Sequence, residues 1–250
     1  MEFDWHARFT EQARWTKQLR DYLLKDYLIS PDAYCLEVGS GTGVISADFV
    51  ATHPCKMVGV DLDFSRCESS TRINRNISVL NGDAYRLPFP NNTFDCVFCH
   101  YFLLWTRTAS NVVDEVFRVL KPGGQFFAFA EPDYNARIDH PVSLQPLGTL
   151  QTKSLVELGV NPAAGRELPS LAVTSGFTNC KFGISGYEQS TGVLPDWWSS
   201  EWDVIKKDLE PHLDRQSLSD WQQLDRNCWM NGARILWVPT FYLSCKKPPD

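Results

Sequence analysis

The 250-residue chain has no excess of basic residues: 24 Lys and Arg stand against 30 Asp and Glu, a formal net charge of -6. A general nucleic-acid binder shows a basic patch or stripe, and no Lys/Arg cluster is present, so a nucleic-acid partner is not expected. No apolar run reaches the roughly 18 residues that a membrane span needs, so no membrane partner is expected either. The opening stretch MEFDWHARFTEQARW is charged and aromatic and lacks the apolar core of a secretory signal, which points to a cytoplasmic protein. No repeat or low-complexity segment interrupts the chain. Eight cysteines are present, but only one CxxC, Cys96-Val-Phe-Cys99, and no second pair to complete four zinc ligands. Positions three apart on a strand also face opposite sides of the sheet. Reduced, buried cysteines and no metal are the expectation.

What is present is an alternation of short apolar runs with helical patterns. Residues 5–28 carry apolar side chains at helical spacing and end at Ile29-Ser30-Pro31. Strand-like runs follow at 34–38, 57–60, 77–80, 94–99 and 125–130, with helices expected over 44–53 and 110–120. Strands alternating with helices imply right-handed crossovers and a parallel sheet. The rhythm then changes. Residues 177–187 and 234–244 read as strands, and between them lies a Trp-rich stretch with helical patterning.

The first turn carries the chemistry. Glu37-Val-Gly39-Ser-Gly41-Thr-Gly43 sits between a strand and a helix, where glycines admit positive φ and close approach of a ligand to the backbone. Asp61 ends the next strand, where a ribose-binding carboxylate belongs in a doubly wound sheet. No GK[ST] follows the glycines, so a P-loop is excluded, and the spacing departs from the dinucleotide fingerprint G-x-G-x-x-G. Glu37 just before the first glycine would repel a pyrophosphate but suits a cationic ligand.

LEVGSGTG, GVDLD, NGDAYRLPFP, FDCVFCHYFLLW and VFRVLKPGG follow one another over about residues 34–130. In this order they resemble the motifs of the class I S-adenosylmethionine (SAM)-dependent methyltransferases, in particular the small-molecule branch. The resemblance implies SAM as cofactor. It places Gly39, Gly41 and Gly43 along the methionine half, with Glu37 ordering the loop and the surroundings of the amino group. Asp61 would accept from the ribose hydroxyls, Leu62 would pack on the adenine, Asp83 would accept from its amine, and Ala84 would offer a backbone N–H. His100 would close over the methionine moiety. Arg14 is a candidate for the SAM carboxylate. The absence of an N/D-P-P-Y/F run after the fourth strand, where His100-Tyr-Phe-Leu103 stands, argues against nucleic-acid base methylation.

The loop after the fifth strand, Glu131 to Pro141, faces the ligand rim of such a sheet. His100, Glu131 and Tyr134 are the candidate bases, and Tyr134, Arg137, Trp197 and Trp198 the candidate substrate contacts. The fold implied is a Rossmann-like α/β sheet of seven mostly parallel strands, order 3-2-1-4-5-7-6, with helices on both faces and a helical, Trp-rich cap. The expected division is an N-terminal helical lid at 1–30, a SAM-binding domain at 31–187 and 231–250, and an inserted cap at 188–230. The expected function is methyl transfer to a small-molecule acceptor by a monomer or homodimer. The alternative is a cyclase or pericyclic enzyme that keeps SAM without transferring the methyl group.

Overall fold

The computed structural model describes residues 4–74, 76–186 and 190–249. Tyr187 at the end of the expected sixth strand, residues 188 and 189 of the expected cap, and residues 1–3 of the expected lid lie outside the described residues. Nine strands are assigned among the described residues: β1 (Tyr34–Val38), β2 (Lys56–Asp61), β3 (Ser78–Asn81), β4 (Phe94–Cys99), β5 (Leu120–Pro132), β6 (Ile138–His140), β7 (Thr178–Ile184), β8 (Ile235–Trp237) and β9 (Thr240–Lys246). Seven of them build one sheet in the order β3-β2-β1-β4-β5-β9-β7. Counting only those seven in chain order gives 3-2-1-4-5-7-6, the order that the family resemblance implies. β1 to β5 pair in parallel, and β9 runs antiparallel to both β5 and β7.

Two features of the strands differ from expectation. The run at 234–244 is broken, because Pro239 between β8 and β9 has no N–H for a ladder and fixes its own φ. β8 leaves the large sheet and pairs with β6 in a separate antiparallel ribbon. β5 also starts five residues early, at Leu120, and absorbs the Lys-Pro-Gly-Gly run, which sequence pattern assigns to a helix stop and turn. The register against β4 shifts between Phe94 and Cys96 to accommodate it.

Period-two alternation divides the sheet into two faces. Cys35, Cys96, Phe98, Phe127 and Phe129 meet Ala13 of α1 (Trp5–Trp15), Leu24 of α2 (Lys17–Leu24), and Ile45 and Phe49 of α3 (Val44–Thr52). α4 (Phe64–Ile73) packs beside β2 and β3 through buried Cys67. Leu36, Val97, Cys99, Phe126 and Ala128 meet the opposite layer. There α5 (Ala109–Val119) presents Ala109, Val112, Val113, Val116 and Val119. Cys96 and Cys99 therefore lie on opposite faces, and all eight cysteines are free thiols.

α6 (Gln145–Glu157) and α7 (Ala164–Thr174) are not anticipated by the sequence pattern. α7 joins the α5 layer through Leu168 and Ala172. α6 instead forms a third cluster, with Leu144 and Leu147 against Trp198, Trp202, Ile205 and Leu209 of α8 (Trp198–Leu209) and Trp229 of α9 (Arg215–Met230). Buried charges hold this cluster to the ribbon. Asp225 accepts from the indoles of Trp198 (2.6 Å) and Trp202 (2.8 Å) and from Arg234 Nε (2.7 Å). Arg234 reaches on to Asp139 of β6 at 2.8 Å. No helix among the described residues is long and apolar enough to cross a membrane.

Candidate active site

The carboxyl ends of β1, β2, β4 and β5 open into one cavity of about 1600 Å³, roofed by α1, α2 and α8. Pockets that take a single drug-sized ligand run to roughly 300–1,000 Å³, so the space has room for two molecules side by side.

One half is built on the glycine turn. Gly39 and Gly41 adopt φ of +72° and +52°, in the left-handed region that an L side chain rarely takes. A Cβ on Gly39 would collide with the Phe102 ring, and one on Gly41 would come within 2.8 Å of Phe9. Asp61 ties this turn to the end of β2. Its Oδ2 accepts from Gly41 N at 2.7 Å and its Oδ1 from Asp63 N at 2.9 Å. Beyond it Leu62 stands 74% exposed on the cavity wall, with Asp83, Ala84 and Tyr85 across from it. Beneath the turn Glu37 is buried and accepts from both the backbone N–H (2.9 Å) and the hydroxyl of Ser46. Burial outweighs those bonds and pushes its carboxyl up to about 8.

The N-terminal helices close this half. His6 Nδ1 is 2.9 Å from Thr42 Oγ1, and Phe9 covers Gly41. At the α1–α2 junction Thr16 Oγ1 lies 2.8 Å from Nε2 of His100, and Arg20 Nη1 donates to the same hydroxyl at 2.5 Å. Arg20 Nη2 donates to Asp48 of α3 at 2.8 Å. Nε2 of His100 is thus engaged, leaving Nδ1 as the ring nitrogen open to a ligand. Burial, then the Arg20 charge, holds this imidazole well below its usual range, so it is neutral at physiological pH.

The other half is aromatic. Trp15, Tyr101, Trp105, Tyr134, Trp197 and Trp237 line it. Trp15 meets Trp197 edge-on at 5.9 Å. Arg8 stacks over Trp15 at 4.8 Å and reaches Glu201 of α8 at 2.8 Å. Tyr101 follows β4 with φ +48°, unusual for a bulky side chain, and such strain collects at functional sites. Burial pushes its phenol up to about 12 and raises that of Tyr134 further.

A family model described as a methyltransferase domain matches residues 36–128. An uncharacterized methyltransferase of Schizosaccharomyces pombe is 33% identical over 166 residues, covering 61% of this chain and 58% of that protein. The sterol 24-C-methyltransferase erg6 of the same organism is 32% identical over 127 residues, 47% of this chain and 33% of its own. A crystal structure of geranyl diphosphate C-methyltransferase from Streptomyces coelicolor, with Mg2+, geranyl diphosphate and S-adenosyl-L-homocysteine, superposes with a TM-score of 0.60 at 13% identity, over 94% of this chain and 80% of that one. The match to the methyltransferase-domain model covers residues 36–128, and the fold is the one seen in these methyltransferase structures. It spans between 33% and 58% of the length of the first curated relatives it matches.

Within this methyltransferase fold most of the expected site residues converge. Glu37, Gly39, Gly41, Asp61, Leu62, Asp83, Ala84, His100, Tyr134, Arg137 and Trp197 all line the cavity. Four others do not. Gly43 sits one residue before α3 as its N-cap, turned toward Ser70. Arg14 points outward, its side chain 73% exposed and 3.9 Å from Glu11. Arg8, two turns earlier on α1, takes the place in the wall. Trp198 is spent on the α8–α9 core and on Asp225.

Glu131 is the largest correction. It is fully buried beneath the residues after β4 and accepts from the backbone N–H groups of Phe102 (2.9 Å), Leu103 (3.0 Å) and Leu104 (3.2 Å). Its carboxylate organises the segment that carries Tyr101 and is closed off from the cavity. Burial still pushes it up to about 7. Arg137 lines the cavity but is bound to Asp139 at 2.6 Å and to Gln151 at 2.5 Å. Thr16, Tyr101, Glu201 and Asp208 complete the wall without a motif to announce them.

Proposed function

We propose that this protein binds SAM in the glycine-turn half of the cavity and transfers its methyl group to a small molecule in the aromatic half. The single observation that carries the reading is the continuity of the two halves, with His100 and Tyr101 at their junction. The residues present fit SAM. The turn leaves room that a side chain would fill, Leu62 offers an apolar surface, and Asp61 and Asp83 offer carboxylates. SAM supplies an activated methyl sulfonium, so the protein's task is to orient and to exclude water, which is worth roughly 7–11 kcal/mol of barrier.

Asp61 holds the turn and receives ribose hydroxyls, while Glu37 supports the turn from below. α1 and α8 serve as lid and cap, residues 1–30 and 188–230 in the division expected above, and their Arg8–Glu201 and Trp15–Trp197 contacts shut out solvent. His100, held neutral, accepts a hydrogen bond from the acceptor at Nδ1 and orients it. Tyr134, with its raised phenol, donates a hydrogen bond rather than acting as a base. The sterol, quinone and terpenoid methyltransferases among its relatives and structural neighbours support a small-molecule acceptor. No feature of the cavity favours a cyclase. Calorimetry with SAM, followed by detection of S-adenosylhomocysteine in the presence of acceptors, tests the reading. A protein that binds neither SAM nor S-adenosylhomocysteine would overturn it.

A further inference from the structure

The aromatic half of the cavity contains charged groups on three walls, and they are unevenly paired. The N-cap Trp197 and the α8 residues Glu201, Val204 and Asp208 line the cavity at the four-, three- and four-residue spacing of one helical face, with Lys207 beside them. Glu201 lies against Arg8 from α1. Arg137 is held by Asp139. Lys207, next to Asp208 in the chain, places its ammonium 4.4 Å from the centroid of the Trp5 ring. Asp208 itself has no cation within ion-pair distance among the described residues; its hydrogen bond to Gln151 Nε2 is 3.2 Å long. The geometry of that amide is fixed, because Gln151 Oε1 accepts from Arg137 at 2.5 Å and so turns the NH2 group toward Asp208. Ser154 Oγ donates to the Asp208 carbonyl at 2.5 Å and anchors the backbone. The carboxylate is therefore held in place, half-buried and facing the cavity, without an ion pair of its own among the described residues; the charges of Lys207 and Arg8 act on it only from beyond ion-pair distance.

We propose that the acceptor carries a basic amine, and that Asp208 holds it as its ammonium. The proposal rests on the methyl-transfer reading above and names the acceptor class of that same site. A neutral alcohol would leave Asp208 without a counter-ion. An anionic acceptor would meet Glu201 and Asp208 and find Arg137 held by Asp139, which leaves only Arg8 Nη1 and Lys207 among the described residues to receive it. An ammonium gives Asp208 the ion pair it lacks, and the Trp197 and Tyr134 rings on the same wall suit the apolar body attached to it. Burial, with Glu201 adding to it, raises the Asp208 carboxyl, and a bound cation reverses that shift.

The test uses the full chain saturated with S-adenosylhomocysteine and three probes of one shape: 2-(2-naphthyl)ethylamine, 2-(2-naphthyl)ethanol and 2-naphthylacetate. Calorimetry at pH 7 is expected to give at least tenfold tighter binding of the amine than of the alcohol, with the carboxylate weakest. Asp208→Asn keeps an acceptor for Gln151 and should erase the preference while S-adenosylhomocysteine binds as before. Equal affinity for amine and alcohol, preference for the carboxylate, no binding of the amine, or a preference that survives in Asp208→Asn would each overturn the proposal. The wild-type ratio decides the matter even if the variant misfolds. If S-adenosylhomocysteine itself fails to bind, it is the methyl-transfer reading that falls.

Discussion

Asp61 uses one carboxylate oxygen for Gly41 N and the other for Asp63 N, so it both shapes the donor turn and remains open to further donors. Asp61→Ala should weaken SAM binding by about 1.5–3 kcal/mol, the worth of hydrogen bonds to a charged group, read by calorimetry. Equal affinity would show that the residue only ties the loop. Glu37 gives a pH dependence whose sign follows from its burial. Its carboxyl titrates near 8 in the folded protein, above the unfolded value near 4.5. That group's contribution to stability is therefore full below 4.5 and lost as pH rises through about 8. A bound cation favours the ionised form, so SAM affinity should rise with pH toward 8 and binding should release a proton. Binding enthalpies measured at pH 7 in phosphate and in Tris should differ, and Glu37→Gln should remove the difference. At this scale the glycines and Asp61 are legible in sequence because backbone conformation demands them. Glu131 is misread because a carboxylate at a strand end looks the same whether it faces ligand or accepts three buried N–H groups. Arg8 and Arg14 are likewise indistinguishable until the helix's orientation is known.

The elements that obey a period are readable, and those that depend on a distant partner are not. β1 to β5 and α5 declare themselves by alternation or by the Val spacing at 112, 113, 116 and 119. α6 hides because its buried face carries Gly148, Gln151 and Ser154 among its leucines. Those small and polar residues make sense only beside Arg137, Asp139 and Asp208. Gly148 admits the Arg137–Asp139 pair against the helix. A methyl there would collide with the Asp139 carboxylate and sit 2.9 Å from Arg137 Nε. Gly148→Ala should destabilise the protein by about 1–3 kcal/mol despite better helix propensity, read by thermal unfolding. Arg234 joins Asp139 of the ribbon to Asp225 of α9, each side chain at most 5% exposed. Arg234→Met leaves two buried carboxylates short of a partner and should cost about 3–5 kcal/mol, read by denaturant midpoint. A loss of less than about 1 kcal/mol would mean that solvent reaches this junction.

For the whole molecule, a cavity large enough for donor and acceptor has to be closed by parts that the sheet does not supply. α1 does this from one side. It touches the donor turn through His6 and Phe9 and touches α8 through Arg8 and Trp15. Its buried contribution to the sheet's own core is confined to Ala13, whereas α2 and α3 supply Leu24, Ile45 and Phe49 to the same cluster. Removing residues 1–15 should therefore leave the seven-stranded sheet folded, with a cooperative unfolding transition shifted only modestly. The same deletion uncovers Gly41, frees Glu201 of its cation and removes the ring opposite Trp197. Water then reaches the sulfonium, and the near-attack geometry that accounts for most of the expected rate is lost. Turnover to S-adenosylhomocysteine should fall below detection and SAM affinity should drop, while the circular dichroism of the sheet persists. A truncated protein that turns over acceptor at the full rate would show that the N-terminal aromatics only pack, and that α8 alone encloses the reaction.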